Sequence, residues 1–351
     1  MDQAPKNAAT VRSGFAPLNP AANAFENRTK FGATIQYERA IAQGEKNSIS
    51  VNSFDVPSMS MVLPFGFLGT FGIGLNQMYS ANNRLEFEDE TSNISLLSRA
   101  GLYELAPSYS IRLPFFLSDF ALGTSYRIFF GNSHSTLTRG RSNDWGEDSW
   151  MANNVMITER ERGTFSSDDS WWKSFGYSMH FHRKSIDYFV SYFPSVQMQK
   201  DIRENVQFSN TDTLRISNRT ENFNLPKHFA SGIHYRFWQN QNLSFVYEQQ
   251  NEAFSGLAEY KTTGTGLHYS PFLKRNNFGV KAWYAEKSLK DVNEYGAALL
   301  SDMWLGYRGT LASLSFFGGY RQAKDYWNEL FLGFELNLTG VGNWGTSARR
   351  R

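Results

Sequence analysis

The chain has 351 residues, of which 41% are apolar and 19% charged, and its net charge of +2 gives no basic field for a nucleic-acid partner. Its longest apolar stretch, Met61 to Leu68, contains Pro64 and Gly66 and is far shorter than the roughly 18 residues that a membrane-spanning helix requires. Composition therefore excludes a helical membrane protein and points away from nucleic acid.

Aromatic residues make up 16% of the chain, and the mean hydropathy is −0.47. Such a value fits a soluble β-protein, but it also fits a transmembrane barrel, whose lipid-facing residues alternate with polar lumen residues. The chain has no Cys, which fits an oxidising compartment and equally a chain that needs no disulfide. Residues 1–5 lack the basic start and apolar core of a secretory leader, so an exported location requires that a leader has been removed.

The N-terminal segment is apolar but irregular: residues 14–25 read GFAPLNPAANAF. An irregular backbone survives at membrane depth only where protein or water surrounds it, so we expect residues 1–30 to form a short hatch inside a barrel. A flexible periplasmic leader is the alternative. The candidate gating residues of the hatch are Phe15, Leu18, Asn19, Pro20, Ala21 and Phe25.

The first strand shows the pattern that dominates the chain. Phe31, Ile35 and Tyr37 share one face, while Thr34 and Gln36 lie on the other, as in a strand with a single apolar face. The same alternation predicts fourteen strands near residues 31–42, 47–63, 68–88, 95–113, 118–137, 166–183, 186–203, 214–237, 242–253, 258–270, 276–288, 292–308, 311–324 and 327–339.

These strands predict an all-β fold, a transmembrane antiparallel β-barrel of about 14 strands over residues 31–339. Nearly every strand has one strongly apolar face that ends in Tyr, Trp or Phe, where an aromatic girdle lies in outer-membrane barrels. A soluble sandwich would instead hide that face behind a second sheet. The expected location is therefore the outer membrane of a Gram-negative-type bacterium.

The longest predicted connection is an external loop near residues 138–165. A loop of this length is usually functional or disordered. Its apolar side chains are candidates for binding a hydrophobic ligand: Trp145, Trp150, Met151, Met156 and Ile157. At the other end of the barrel, residues 340–351 form a basic tail that could face a periplasmic partner.

Polar residues on the inner faces of the strands form a candidate set for the lumen: Arg127, His180, His182, Arg236, Glu294, Arg321 and Glu335. They could guide a carboxylate headgroup, but mutual neutralisation is favoured because an unpaired buried charge is costly. The i, i+2 spacing of the two histidines suits metal ligation, yet no third ligand is evident, so two polar lumen residues are the favoured interpretation and no metal is expected.

Several stretches resemble the FadL-like family of outer-membrane transporters for long-chain fatty acids. Asn19-Pro20-Ala21 resembles the family's NPA motif shortly before the first strand. Other similar stretches are VPSMSMVLPFG at 56–66, GIGLNQMYS at 72–80, GLYELAPSYSIRL at 101–113, LPKHFASGIHYRF at 225–237 and ELFLGFELNL at 329–338. The resemblance implies a fourteen-stranded barrel with an N-terminal hatch and passive uptake of hydrophobic small molecules or fatty acids.

The chain also departs from that family. Residues 1–30 are shorter than the family's usual hatch, and a basic tail follows the last strand. This leaves open a resemblance to PorV-like relatives, which would make the barrel a non-transport anchor or assistant of a partner protein complex. A soluble β-protein is the remaining alternative.

An enzyme is not expected, because the six histidines form no recognisable dyad with Ser or Asp, and neither a P-loop nor a dinucleotide fingerprint is present. The expected partners are membrane lipids, a hydrophobic ligand and, in the PorV-like alternative, an outer-membrane or periplasmic protein. No cofactor is expected.

Overall fold

The computed structural model of the chain describes residues 19–26, 28–43, 48–89, 92–113, 120–141, 156–167, 174–183, 185–208, 214–237, 241–253, 260–271, 277–287, 292–304, 311–323 and 327–342. Within these ranges, no helix has both the length and the apolar character needed to cross a membrane.

The described residues form seventeen strands: β1 (Thr29–Gln43), β2 (Ser48–Pro64), β3 (Thr70–Asp89), β4 (Ser92–Arg112), β5 (Phe120–Tyr126), β6 (Ile128–Arg141), β7 (Met156–Ser167), β8 (Phe175–Arg183), β9 (Ile186–Phe193), β10 (Val196–Phe208), β11 (Leu214–Phe237), β12 (Gln241–Ala253), β13 (Tyr260–Pro271), β14 (Asn277–Lys287), β15 (Val292–Trp304), β16 (Leu311–Ala323) and β17 (Trp327–Gly342). Two short 3-10 helices, Pro20–Phe25 and Gly66–Leu68, accompany them.

All strand pairs are antiparallel, and their pairings run in a closed cycle. β1 pairs with β2 on one side and with β17 on the other, over its whole length from Thr29–Gly342 to Gln43–Asn328. From β11 onward, each strand pairs with the next one in sequence. The first and last strands therefore satisfy each other's backbone groups, as a barrel in lipid requires.

The strand count is higher than the fourteen expected from the sequence, because three positions in the cycle are each divided between two strands. β5 and β6 both pair with β4, and β9 and β10 both pair with β11. Between them, β8 bridges β5 and β9, whereas β7 bridges β6 and β10. Period-two alternation continues from β5 into β6, so the sequence pattern predicted one strand where these two lie end to end. Around Pro194 the alternation shifts by one residue, since Phe193 and Val196 are both buried, and the predicted strand 186–203 merged β9 with β10. β7 lay mostly in the predicted loop at 138–165.

Two predicted boundaries are corrected. β6 continues to Arg141 and β7 begins at Met156, so much of the expected external loop at 138–165 is strand. Residues 159–162 read ERER, and their alternating charges make polar strand faces that remain stable outside lipid. At the C-terminal end, β17 extends to Gly342 rather than stopping at residue 339.

The tight connection between β2 and β3 depends on glycine. Gly66 has φ of 65° and Gly69 has φ of 95°, in the left-handed region that other residues rarely adopt. Phe65 donates its backbone N–H to the carbonyl of Gly69 across the turn, at 2.9 Å. The chain therefore reverses in five residues between two long strands.

The two faces of the barrel wall differ in polarity: the outer face is apolar and exposed, and the inner face is polar and buried. Large apolar side chains on the outer face are exposed, including Leu299 and Leu332, which are 64% and 59% accessible. The inner face buries polar groups, including Glu294 and Glu335, which are 0% and 1% accessible. Exposed apolar and buried polar surface is the arrangement that a lipid environment selects.

Candidate functional site

Residues 19–25 lie inside the ring of strands, where Pro20–Phe25 form a short 3-10 helix. We call residues 19–25 the hatch. Pro20 occupies the start of the turn, where its missing N–H and fixed φ are tolerated. Ala21 and Ala24 are buried, and the turn packs mainly against β5, β4 and β8. Small side chains let the hatch backbone approach the wall closely.

Two hydrogen bonds join the hatch to the inner face of β8. Asn19 Nδ2 donates to His180 Nδ1 at 3.0 Å, and the backbone N–H of Ala21 donates to Ser178 Oγ at 2.8 Å. All four residues are buried. Each bond satisfies a polar group that would otherwise be costly to bury, so the pair fixes the height of the hatch in the barrel.

The far end of the hatch is held by Arg112 at the end of β4. Its Nε donates to the carbonyl of Ala24 at 2.9 Å, and its guanidinium lies 4.6 Å from the ring centre of Phe25. On its other side, Phe25 contacts His180 and His182, with ring centres 5.1 and 5.7 Å apart. Phe25 is therefore enclosed between a cation and two imidazoles.

Asp187 on β9 orients both histidines from behind. Its Oδ1 lies 3.5 Å from His180 Nε2 and is hydrogen-bonded to His182 Nδ1. Asn19 and Asp187 thus lie at opposite nitrogens of the His180 ring. Across the described ranges, no group of three or more His, Cys, Asp or Glu is arranged to hold a metal ion.

Above the hatch, five neighbouring positions of the wall change their pairing at one level, which we call the break layer. β5 gives way to β6 at Arg127, and β9 gives way to β10 at Pro194. β4 changes partner near Pro107, and β11 near Pro226. Proline lacks a backbone N–H, so it favours interruption of the hydrogen-bond ladder at Pro107, Pro194 and Pro226.

Arg127 occupies the centre of the break layer. Its backbone N–H donates to the carbonyl of Ser174, and its Nε donates to Glu104 Oε1 at 2.6 Å. Both side chains of the ion pair are at most 7% exposed. The guanidinium also lies over Phe129 and Phe193, at 4.8 and 5.1 Å. Its Nη1 is buried and makes no hydrogen bond with the described residues.

On the far side of the break layer from the hatch lies an apolar cluster, which we call the lumen cluster. It consists of Leu102, Phe129, Val196, Met198 and Leu225, with Phe165 packed against it. These side chains come from the inner faces of β4, β6, β10 and β11. Packed apolar side chains inside the barrel thus meet a buried arginine whose Nη1 donor has no partner among the described residues.

The wall beside the hatch is thin. A Cβ at Gly123 would overlap the backbone N of Ala21, so only glycine admits the hatch at this point. Outside the same strands lies an apolar groove of about 420 Å³, lined by residues that include Leu122, Tyr177 and Met179. Gly123 and Ser178 therefore separate the hatch from the outer surface.

A second charged group lies inside the barrel between β1, β15, β16 and β17. Arg321 pairs with Glu294 at 2.8 Å, with Glu38 at 3.1 Å and with Glu329. Trp283 Nε1 donates to the other oxygen of Glu294 at 3.0 Å. The guanidinium lies 4.3 Å from the ring centre of Phe331. Arg321, like Arg127, is paired with glutamate, as expected of lumen charges that neutralise one another.

The structure places the predicted gating residues Asn19, Pro20, Ala21 and Phe25 in the hatch, whereas Phe15 and Leu18 lie outside the described residues. It places Arg127, His180, His182, Glu294, Arg321 and Glu335 in the interior, while Arg236 is in β11 with its side chain outside the described residues. Trp145, Trp150 and Met151 lie outside the described residues, and the assignment of Met156 and Ile157 to a loop is wrong because both belong to β7.

Sequence reasoning missed Glu104, Ser178, Asp187 and Arg112. Glu104 and Arg112 alternate regularly with the apolar face of β4, so they were identifiable as inward-facing. Their partners were not, because Arg127 and Ala24 are distant in sequence. Asp187 follows the β8–β9 turn directly, and its pairing with His182 in the β8–β9 register was the one local signal available.

Neither a protein-family model nor a curated protein sequence matches the chain. Solved structures do match its fold. The fold is similar to that of FadL-type barrels, as the sequence resemblance predicted.

A Pseudomonas aeruginosa FadL homologue is similar over 93% of both chains, with a TM-score of 0.66 and 10% identity. CymD, a monoaromatic hydrocarbon channel, covers 93% of this chain and 92% of its own, with a TM-score of 0.61 and 10% identity. TbuX, a toluene transporter of Ralstonia pickettii, covers 92% of each chain, with a TM-score of 0.56 and 10% identity. At such identity the likeness concerns the fold.

Proposed function

We propose that this protein is a passive channel of the bacterial outer membrane that takes up hydrophobic small molecules through a barrel closed by its N-terminal hatch. The observation that carries the proposal is the lumen cluster, a group of packed apolar side chains inside the barrel that lies next to the break layer and, beyond it, the hatch. The related folds include channels for toluene and other monoaromatic hydrocarbons, which supports an apolar substrate.

The proposed path has three stages. A hydrophobic molecule first leaves water for the lumen cluster, gaining roughly 25 cal/mol for each Å² of apolar surface buried. It then passes Arg127, whose unused Nη1 donor suits a carboxylate or another acceptor on an amphipathic substrate such as a fatty acid. Finally the hatch moves away from Ser178 and His180. No cofactor and no chemical step take part.

Movement of the hatch is energetically modest. Its polar anchors are two hydrogen bonds to β8 and one from Arg112, which contribute about 1 kcal/mol per hydrogen bond, or somewhat more where a charge is involved. Its apolar contacts are those of small alanines and of the Phe25 ring with two imidazoles. Thermal fluctuation or substrate binding can release contacts of that size. The contacts that support the hatch do not favour the alternative of a barrel that only anchors a partner protein complex.

The test is uptake of labelled toluene and oleate by a Gram-negative host that lacks its own FadL-type channels. The variant Met198→Trp fills the lumen cluster, and Gln197→Trp places the same side chain on the opposite face of β10 as a control. We expect Met198→Trp to lower uptake at least about tenfold and the control to stay within about twofold. Wild-type cells that take up no more of either compound than cells without the channel would refute the proposal.

A further inference from the structure

The outer face of the barrel carries a row of basic residues, three arginines and one histidine, beyond its apolar belt. Arg99 on β4 is directly opposite His134 on β6, His134 is opposite Arg162 on β7, and Arg162 is opposite Arg203 on β10. Strands lie about 4.8 Å apart, so the row extends over about 14 Å. The three arginines are exposed. We call these four residues the cationic row.

Alternation along β7 separates the two signs of charge between the faces of the wall. In the ERER run, Glu159 and Glu161 point inward, where Glu161 pairs with Lys200 at 2.9 Å and with Arg219 at 3.3 Å. Arg160 and Arg162 therefore point outward. The glutamates of this run thus form their ion pairs inside the barrel. The arginines of the run point outward and form no ion pair with those glutamates.

None of the three arginines of the cationic row makes an ion pair with a described residue. Among the described side chains, an outward carboxylate lies on the same strand at Asp201, two residues from Arg203, and it accepts a hydrogen bond from Thr220 Oγ1 at 2.8 Å. Like charges placed directly opposite on neighbouring strands destabilise a sheet. Four basic residues side by side therefore indicate an anionic ligand.

The position of the row identifies the kind of ligand. Tyr103 lies four positions below Arg99 on β4, and Phe130 lies four positions below His134 on β6. The two rings stack on the outer face with their centres 5.8 Å apart, as in an aromatic girdle. Four residues of a tilted strand rise about 10 Å along the barrel axis. The row thus lies at headgroup height, above apolar surface, at the end of the barrel opposite Thr29 and Gly342, which pair with each other.

We propose that the cationic row binds the phosphate groups of a phosphorylated glycolipid of the outer leaflet, whose acyl chains cover the apolar face below. A ligand that continues from an apolar belt to a row of cations needs both tails and phosphates, which a soluble anion or a protein lacks in combination. The inference rests on the proposed location in the outer membrane, and it adds a lipid site on a surface that the transport path does not use.

The test is native mass spectrometry of the full chain in detergent with diphosphorylated lipid A, and separately with monophosphorylated lipid A and phosphatidylethanolamine. The variant Arg99→Gln/Arg162→Gln/Arg203→Gln removes the row's fixed charges. Arg39→Gln is the control, because Arg39 is an exposed outward arginine whose cross-strand neighbours are Leu332 and Asn52. Each basic residue near a membrane surface contributes about a fivefold factor in binding.

We expect wild-type protein to prefer diphosphorylated lipid A, the triple variant to bind it about a hundredfold more weakly, and Arg39→Gln to stay within about twofold. Where the triple variant does not fold, Arg162→Gln alone should lose about fivefold. Equal binding by wild type and the row variants would overturn the inference. Because the row lies outside the lumen, the triple variant should keep toluene uptake; a folded wild type without uptake instead contradicts the proposed function.

Discussion

Asn19 Nδ2 lies 3.0 Å from His180 Nδ1, although the two residues are 161 positions apart in sequence. The contact joins the N-terminal hatch to the inner face of β8, in a place where water has little access. Asp187 supports the same imidazole from the other side. The hatch is therefore held by a hydrogen-bond acceptor on the barrel wall. The strength of this hydrogen bond sets how readily the path opens.

Removal of the Asn19 side chain should loosen the hatch. Loss of one buried hydrogen bond costs about 1 kcal/mol, so Asn19→Ala should raise the open population about fivefold. The chain has no cysteine, so a single Asn23→Cys probe in the hatch can report its exposure through thiol labelling. The control is Asn52→Ala, on the outer face of β2. Equal labelling rates with and without the Asn19 substitution would show that this contact does not hold the hatch.

A methyl group at Gly123 should displace the hatch. The added Cβ would overlap the backbone of Ala21, and backbone cannot give way as a flexible side chain can. Gly340→Ala is the matched control, because no atom lies within 4 Å of a Cβ there. We expect Gly123→Ala to accelerate labelling of Asn23→Cys at least about tenfold and to lower stability by about 1–3 kcal/mol, measured by urea unfolding in lipid vesicles. The same effect from Gly340→Ala would rule out the steric explanation.

The ion pair in the break layer should respond to substitution as a unit. Arg127→Met leaves the Glu104 carboxylate buried without its cation and should cost about 3–5 kcal/mol of unfolding free energy. Arg127→Met/Glu104→Leu removes both charges and should recover most of this loss. A double-mutant cycle by urea unfolding measures the coupling, and strictly additive costs would mean that the two side chains do not depend on each other.

Burial should decide how much each of two arginines contributes to the free energy of unfolding, since each of them contacts three glutamates. Arg321, 18% exposed, pairs with Glu38, Glu294 and Glu329, whereas Arg219 is 51% exposed among Glu161, Glu204 and Glu221. Arg321→Met should cost about 3–5 kcal/mol, because three carboxylates remain close together inside the barrel. Arg219→Met should cost less than about 1 kcal/mol, because water screens its partners. Comparable unfolding midpoints for the two variants would contradict this account.

Much of the barrel could be predicted because alternation is a local property. The strand of Phe31 and Tyr37 and the strand of Leu332 and Phe334 both show their lipid-facing residues in the sequence, and the structure pairs them with each other. The hatch was also indicated locally, by an apolar segment with Pro20 that could not extend a strand. Period two continues unbroken past Arg127, so that division was missed; at Pro194 the buried positions shift by one residue, from Phe193 to Val196, a change that the predicted strand 186–203 did not take into account.

The contacts of the candidate site were not predictable in the same way. Alternation gives the face on which His180 lies, but not which distant residue meets it, because that depends on where the hatch comes to rest in the closed wall. Pairing of Arg127 with Glu104 depends on the register of β4 against β6, which the sequence does not encode in any local motif. The face of the strand on which a residue lies can thus be predicted from the sequence. The contacts between residues inside the barrel are determined only when the barrel closes.

The central claim is that movement of the hatch opens the path, and a reversible lock on the hatch tests it most directly. Ala21→Cys/Ser178→Cys introduces the only two thiols of the chain at a contact between hatch and wall, where Ala21 N lies 2.8 Å from Ser178 Oγ, and a disulfide between them would lock the hatch to β8. Oxidised cells should take up toluene no faster than cells without the channel, and a reductant should restore uptake. Undiminished uptake by the fully oxidised protein would contradict the account.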